Sequence, residues 1–167
     1  MTEIWWSIFE KVFDWLTNLL SLLTQWRIEF QTQNSSWRVK KNSEEYADLL
    51  YKRGTSYERK KDFLKADEDL IESLKIDPDE PYVLNYLGYS WLERSYKIPE
   101  AMDMLKEAYS LRENDPYITD SIGWAYYLIE DFVNAKKYLE KAVKLMPYDP
   151  IVNDHYGDVL WRLNKKV

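Results

Sequence analysis

An all-α fold of stacked helical hairpins is predicted for this chain by three observations. Its four glycines, Gly54, Gly88, Gly123 and Gly157, are spaced by 34, 35 and 34 residues. Each stands in a similar frame of large and small residues. The first thirty residues carry apolar side chains at alternating three- and four-residue steps. A fixed period near 34 residues marks a helical-repeat architecture, in which each unit buries its apolar face only by stacking on its neighbours.

The front segment, residues 1–30, reads as one helix. Trp5, Phe9, Val12, Leu16, Leu19, Leu23, Trp26 and Phe30 form a seam at helical spacing. Trp6, Ile8, Phe13, Trp15, Leu20 and Leu22 widen that seam over most of the surface. A helix apolar nearly all round should be buried or lie in lipid. It makes a poor membrane span, because Glu10, Lys11 and Asp14 fall in its middle. It also makes a poor cleavable signal peptide, because it lacks a basic start and carries Glu3. Three readings stay open: a cap docked on the repeats, a contact with a partner helix or second copy, and a helix lying in a membrane interface. Its expected contact residues are Trp5, Trp6, Phe9, Phe13, Leu16, Leu19, Leu23 and Trp26. Residues 31–43 have no apolar period and read as a linker, with Trp37 as a candidate anchor.

Residues 44–167 read as the repeat domain. First-of-pair helices are predicted at 44–60, 80–95, 116–130 and 150–164, and second-of-pair helices at 62–75, 99–112 and 132–145. Leu84-x-x-Leu87-Gly88-x-x-Trp91 is followed by Ala101-x-x-x-Leu105, and Thr119-x-x-Ile122-Gly123-x-x-Tyr126 by Ala135-x-x-x-Leu139. Leu50-x-x-Arg53-Gly54-x-x-Tyr57 is followed by Ala66-x-x-x-Leu70, while Asn153-x-x-Tyr156-Gly157-x-x-Leu160 has no second half. Glycine inside a helix costs about 1 kcal/mol against alanine, so its recurrence implies close helix approach. Asp77-Pro78, Glu80-Pro81, Asp115-Pro116 and Asp149-Pro150 mark the joints, since proline fits a first helical turn and an acidic residue suits the helix N-terminus. The second full repeat is one residue longer, an excess expected in the turn Ser95-Tyr96-Lys97-Ile98-Pro99. Arg53 replaces an apolar residue, which predicts a more exposed edge on the first repeat.

These frames resemble the tetratricopeptide repeat, a helix–turn–helix unit with large–x-x–Leu-Gly–x-x–Tyr in its first helix and Ala–x-x-x–aromatic in its second. About three and a half such repeats are present, forming a solenoid. The family's leading tryptophan is absent from every frame, and Glu113 stands where a proline is expected. The stretches around Gly88, Gly123 and Gly157 look like a branch of Gram-negative bacterial members. The resemblance implies a right-handed superhelix whose first helices line a concave groove for a protein partner. On that map the groove residues are Tyr51, Tyr82, Asn85, Tyr89, Tyr117, Asp120, Trp124, Tyr127, Asp154, Asp158 and Trp161. Such a wall suits a basic, apolar peptide or helix. A guest carboxylate, as in the chaperone-binding kind, would meet like charge at Asp120, Asp154 and Asp158.

The remaining composition narrows the function further. The formal charge is −6, and the acid excess lies in residues 43–167, which argues against a nucleic-acid partner. There is no cysteine, so disulfides and thiolate metal sites are excluded. His155 is the single histidine; beside Asp154 and Asp158 it reads as structural or solvated rather than as a metal ligand or base. No phosphate-binding loop, paired-histidine motif or nucleophile set occurs, so no enzyme activity and no cofactor are expected. Val159, Leu160 and Leu163 are expected to lack cover unless the last helix is itself the cap or another protein covers it. The expectation is therefore a protein-binding adaptor or scaffold, a subunit or assembly factor of a larger complex. The alternative is a membrane-peripheral adaptor held by the front helix. Its place would be cytoplasmic or membrane-peripheral.

Overall fold

The computed structural model describes the backbone of residues 2–33, 40–41 and 43–164, and the side chains of 11–27, 40–41 and 43–164. Among the described residues there are eight helices and no strand. They fall into two compact units, Met1–Pro78 and Asp79–Val167.

The first unit holds α1 (Thr2–Gln33), α2 (Glu44–Arg59) and α3 (Phe63–Ile76). Helix α1 runs three residues into the stretch expected to be linker, and Trp37 lies outside the described residues. Helix α2 starts where Ser43 Oγ accepts from the Tyr46 N–H at 3.2 Å, with Glu44 and Glu45 in the first turn favoured by the helix dipole. Its apolar face, Ala47, Leu49 and Leu50, is buried together with Ala66 and Leu70 of α3. Ser73 Oγ donates to the Ala47 carbonyl at 2.9 Å, tying the far ends of the hairpin.

Arg53 departs from expectation. Its guanidinium donates twice to Asp69, each bond at 2.7 Å, and the pair is largely shielded, with the side chains 20% and 10% exposed. This bidentate pair holds the Arg53 pKa above its ordinary value, chiefly through the hydrogen bonds to Asp69. The polar residue in the first frame marks an internal α2–α3 ion pair, not an exposed edge.

The second unit holds α4 (Pro81–Glu93), α5 (Ile98–Leu111), α6 (Pro116–Leu128), α7 (Phe132–Leu145) and α8 (Pro150–Asn164). Its three first-of-pair helices begin alike, with proline in the first turn behind an acidic residue. Glu80 accepts from the Tyr82 N–H, Asp115 from Tyr117 and Ile118, and Asp149 from Ile151 and Val152, at 2.9–3.3 Å. Each carboxylate satisfies amides that the helix itself leaves open.

The turns explain the uneven period. Three residues separate α6 from α7, and Glu130 alone takes a left-handed backbone at φ 63°. Four separate α4 from α5, with Ser95 and Lys97 both left-handed at φ 52° and 44°. The extra residue thus sits in the turn, where it leaves the helix frames in register.

Close approach is the reason for three of the glycines. A methyl group added at Gly54 would lie 2.9 Å from Leu70 Cγ, at Gly88 2.9 Å from the Ala101 carbonyl oxygen, and at Gly123 2.7 Å from Leu139 Cγ. At Gly157 nothing lies within 4 Å. Two opposite effects of one substitution follow. Gly123→Ala should destabilise the chain by about 1–2 kcal/mol, as overpacking exceeds the gain in helix propensity. Gly157→Ala should stabilise it by up to about 1 kcal/mol, because propensity acts alone. Urea unfolding followed by circular dichroism checks both; equal shifts in one direction would contradict the packing account.

Candidate functional site

The first-of-pair helices α4, α6 and α8 pack side by side in the second unit, α4 on α6 and α6 on α8. Residues about one repeat apart therefore meet across neighbouring helices. Tyr82 Oη donates to Asp115 Oδ2 at 3.0 Å, and this bond holds the phenol pKa above its ordinary value. Trp124 Nε1 donates to Glu93 Oε1 at 2.9 Å. Arg162 Nε donates to Tyr127 Oη at 3.3 Å.

A packed layer lies at the centre of this wall. The Trp124 ring is stacked on Tyr127 on one side, with centroids 4.6 Å apart, and on His155 on the other, at 4.1 Å. His155 Nδ1 lies 2.9 and 3.1 Å from the two carboxylate oxygens of Asp120, so it donates its N–H to that carboxylate. Asp120 is buried, at 8% exposure. Its charge is thus held inside the wall by His155 rather than offered to a guest. Sequence reasoning missed His155 as a member of the wall. The available signal was its separation of 35 residues from Asp120, one repeat length.

Around that layer the wall is open. Tyr117 and Trp161 are 63% and 62% exposed, and Asp154 and Asp158 also face solvent. Tyr82 is 39% exposed, with the Arg112 guanidinium 5.7 Å from its ring centre. Asn85 and Tyr89 are half-buried on α4. The Asn85 side-chain oxygen is buried and has no hydrogen-bond partner among the described residues, a state that costs about 1–3 kcal/mol. Tyr51 belongs to the first unit, half-buried on α2. Among the described residues no group of three or more His, Cys, Asp or Glu could hold a metal ion.

The front helix presents a second surface. Helix α1 packs on α2. Among its described side chains, residues 11–27, Thr17 and Ser21, one turn apart, are the buried ones, each 4% exposed. Thr17 Oγ1 donates to the carbonyls of Phe13 and Asp14 at 3.1 and 2.9 Å, so its hydroxyl goes inward without losing a partner. The described apolar side chains of α1 stay largely in solvent. Phe13, Leu16, Leu19, Leu23 and Trp26 are 50, 44, 37, 52 and 60% exposed. The Arg59 guanidinium lies 5.9 Å from the Phe13 ring centre, and Arg27 pairs with Glu45 at 3.1 Å. Trp5, Trp6 and Phe9 lie outside the residues whose side chains are described. No helix among the described residues is long and apolar enough to cross a membrane.

The His155–Asp120 pair yields a test. His155→Ala should leave the buried carboxylate without its donor and destabilise the chain by about 2 kcal/mol. The double variant Asp120→Leu/His155→Leu should recover most of that loss in the same urea titration. A single variant as stable as the parent would show that the pair contributes nothing.

Comparison with known proteins bears on the repeats. A family profile described as tetratricopeptide repeat matches residues 47–80 and 121–149. A TPR repeat-containing protein of Pseudomonas aeruginosa is 32% identical over 130 residues, covering 75% of this chain and 22% of the relative. The chain thus spans about a fifth of that relative's length. The first TPR domain of human RPAP3 superposes with a TM-score of 0.68 at 18% identity, over 74% of this chain and 97% of that domain. The first TPR of Spaghetti (RPAP3), bound to the HSP90 peptide SRMEEVD, gives 0.67 at 17% identity, over 73% and 96%. PilF of Pseudomonas aeruginosa gives 0.63 at 24% identity, over 71% and 54%. At these identities the structural likeness speaks for the fold alone.

Proposed function

We propose that this chain, a tetratricopeptide repeat protein, is an interaction adaptor, a subunit or assembly factor of a larger complex, whose α4–α6–α8 wall takes a basic, apolar segment of another protein. One observation carries the reading. Tyr117, Asp154, Asp158 and Trp161 form an exposed aromatic and acidic rim around a layer already locked by Trp124, His155 and Asp120. Large rings with few rotors give contact area at low entropic cost. Exposed carboxylates at the rim favour lysine or arginine on the guest.

The acidic peptide named with the RPAP3 neighbour belongs to that protein. Here a guest carboxylate would face Asp154 and Asp158. A peptide array offered to the full chain should select segments that interleave lysine or arginine with apolar residues. Asp154→Lys/Asp158→Lys should weaken those segments at least tenfold and leave the circular dichroism unchanged. Selection of acidic C-terminal segments, or an unchanged affinity in the double variant, would overturn the reading.

The outward apolar face of α1 favours a second contact. A helix with its small polar edge against protein and its broad apolar face outward suits attachment to a lipid interface. The full chain should float with phosphatidylcholine vesicles, and Leu16→Glu/Leu23→Glu should release it. Absence of binding to both neutral and anionic vesicles would remove this second reading.

A further inference from the structure

We propose that the outer face of α5 and α7 is a docking surface for a second copy of this chain, in a two-fold dimer that lays each basic α7 against the acidic α5 of the other copy. The two helices are opposite in charge. Helix α7 carries Lys136, Lys137, Lys141 and Lys144 against Glu140, a net +3. Helix α5 carries Glu100, Asp103 and Glu107 against Lys106, a net −2. One repeat on, Asp103, Lys106 and Glu107 become Lys137, Glu140 and Lys141, so each of the three charges changes sign.

These charges stand away from the core. Ala101, Leu105 and Ala108 of α5, and Ala135, Leu139 and Ala142 of α7, form the buried sides. Asp103, Lys106, Glu107 and Ser110 of α5 are exposed although α6 packs on that helix. A further hairpin stacked on α7 would therefore leave the equivalent positions Lys137, Glu140, Lys141 and Lys144 open as well. The two stripes are neighbours. The Tyr109 and Tyr138 rings meet edge to face with centroids 5.0 Å apart. Lys141 Nζ donates to Tyr109 Oη at 2.8 Å and to the Glu113 carbonyl at 2.7 Å. Along α7 an open depression of about 390 Å³ is lined by Val133, Lys136, Lys137, Glu140, Lys141 and Lys144.

Much of this charge has no partner inside the chain. Lys136 and Lys137 of α7, and Glu100 and Glu107 of α5, form no ion pair among the described residues. Lys106 and Asp103 lie 3.6 Å apart, and Lys144 and Glu140 2.9 Å apart, both pairs in solvent, where such contacts hold weakly. A guest of one sign would be attracted to one helix and repelled by its neighbour. A guest with both signs at the same spacing satisfies both stripes. An identical copy, turned about a two-fold axis that runs along the helices between α5 and α7, supplies that pattern, and every contact is then made twice. Two 14-residue helices side by side offer a face of about 20 by 20 Å, or about 400 Å² per copy. That is the size of a transient contact, so the dimer is weak and sensitive to salt.

Sedimentation velocity on the full chain tests this at about 0.15 M salt, where repulsion between two acidic chains reaches only about 8 Å. The parent should dimerise reversibly with a Kd below about 1 mM, and at least tenfold more weakly at about 0.5 M salt. Lys137→Glu/Lys144→Glu makes both stripes acidic, and Asp103→Lys/Glu107→Lys makes both basic. Each variant alone should be monomeric with unchanged circular dichroism. The two changes shift the net charge of −6 in opposite directions, so repulsion between whole chains would not affect them alike. Mixed in equal amounts, the two variants should pair, because each supplies the sign that the other has lost. A chain with all four changes should dimerise like the parent, and Tyr117→Ala, on the groove rim, should leave the dimer as it is. A monomeric parent, self-association undiminished in either double variant, or failure of the mixed variants to pair would each overturn the proposal. Loss of the dimer in Leu16→Glu/Leu23→Glu with both charge variants still dimeric would move the contact to α1 and overturn it equally.

Discussion

The contact of a bare Cα with a leucine side chain governs this molecule. At Gly54, Gly88 and Gly123 it brings the two helices of a hairpin nearer than any side chain would permit. The buried alanines Ala66, Ala101 and Ala135 extend that approach along the second helix. Everything else in the second unit builds on this short spacing. Tight hairpins are thin, and thin hairpins let α4, α6 and α8 lie next to one another. Without that adjacency, Trp124 could not reach Glu93, nor His155 reach Asp120.

Much of this was legible because the repeat speaks in backbone requirements. Proline behind an acidic cap, glycine at a crossing and one additional residue in a turn are local demands; the first and last were met where the sequence put them, and the crossing at three of the four glycines. Side-chain pairing was legible only in part. Tyr82–Asp115, Glu93–Trp124, Asp120–His155 and Tyr127–Arg162 are separated by 33, 31, 35 and 35 residues in the chain. Separations clustered around the period are what a stack imposes, yet they become informative only once neighbouring first helices are aligned. Read singly, His155 looked structural or solvated; read one repeat back, it faces Asp120. Arg53 was misread for a related reason. A charged residue at an apolar position signals exposure only if no opposite charge awaits it, and Asp69 lies across the hairpin, on α3.

Helix α1 shows a different limit. Its apolar periodicity is strong, and periodicity usually names the buried face. Here, among the side chains of residues 11–27, the buried ones are polar, Thr17 and Ser21. Small hydroxyl side chains permit close packing, and a threonine that bonds back to its own helix enters a contact without stranding a donor. The apolar stripe therefore does not name the face that is buried between residues 11 and 27. A hydrophobic pattern says that burial is required and leaves the covering surface unspecified.

The same reasoning separates the two halves of the α4–α6–α8 wall. Charges that are already paired cannot discriminate among guests, since breaking them would expose a buried carboxylate. Asp120 thus belongs to the scaffold, while Asp154 and Asp158, in solvent, remain available to a guest. Position in the repeat made these three residues equivalent on paper. A neighbouring imidazole made them unlike in practice: it stacks on Trp124 and pairs with Asp120, so that part of the wall is fixed by its own contacts.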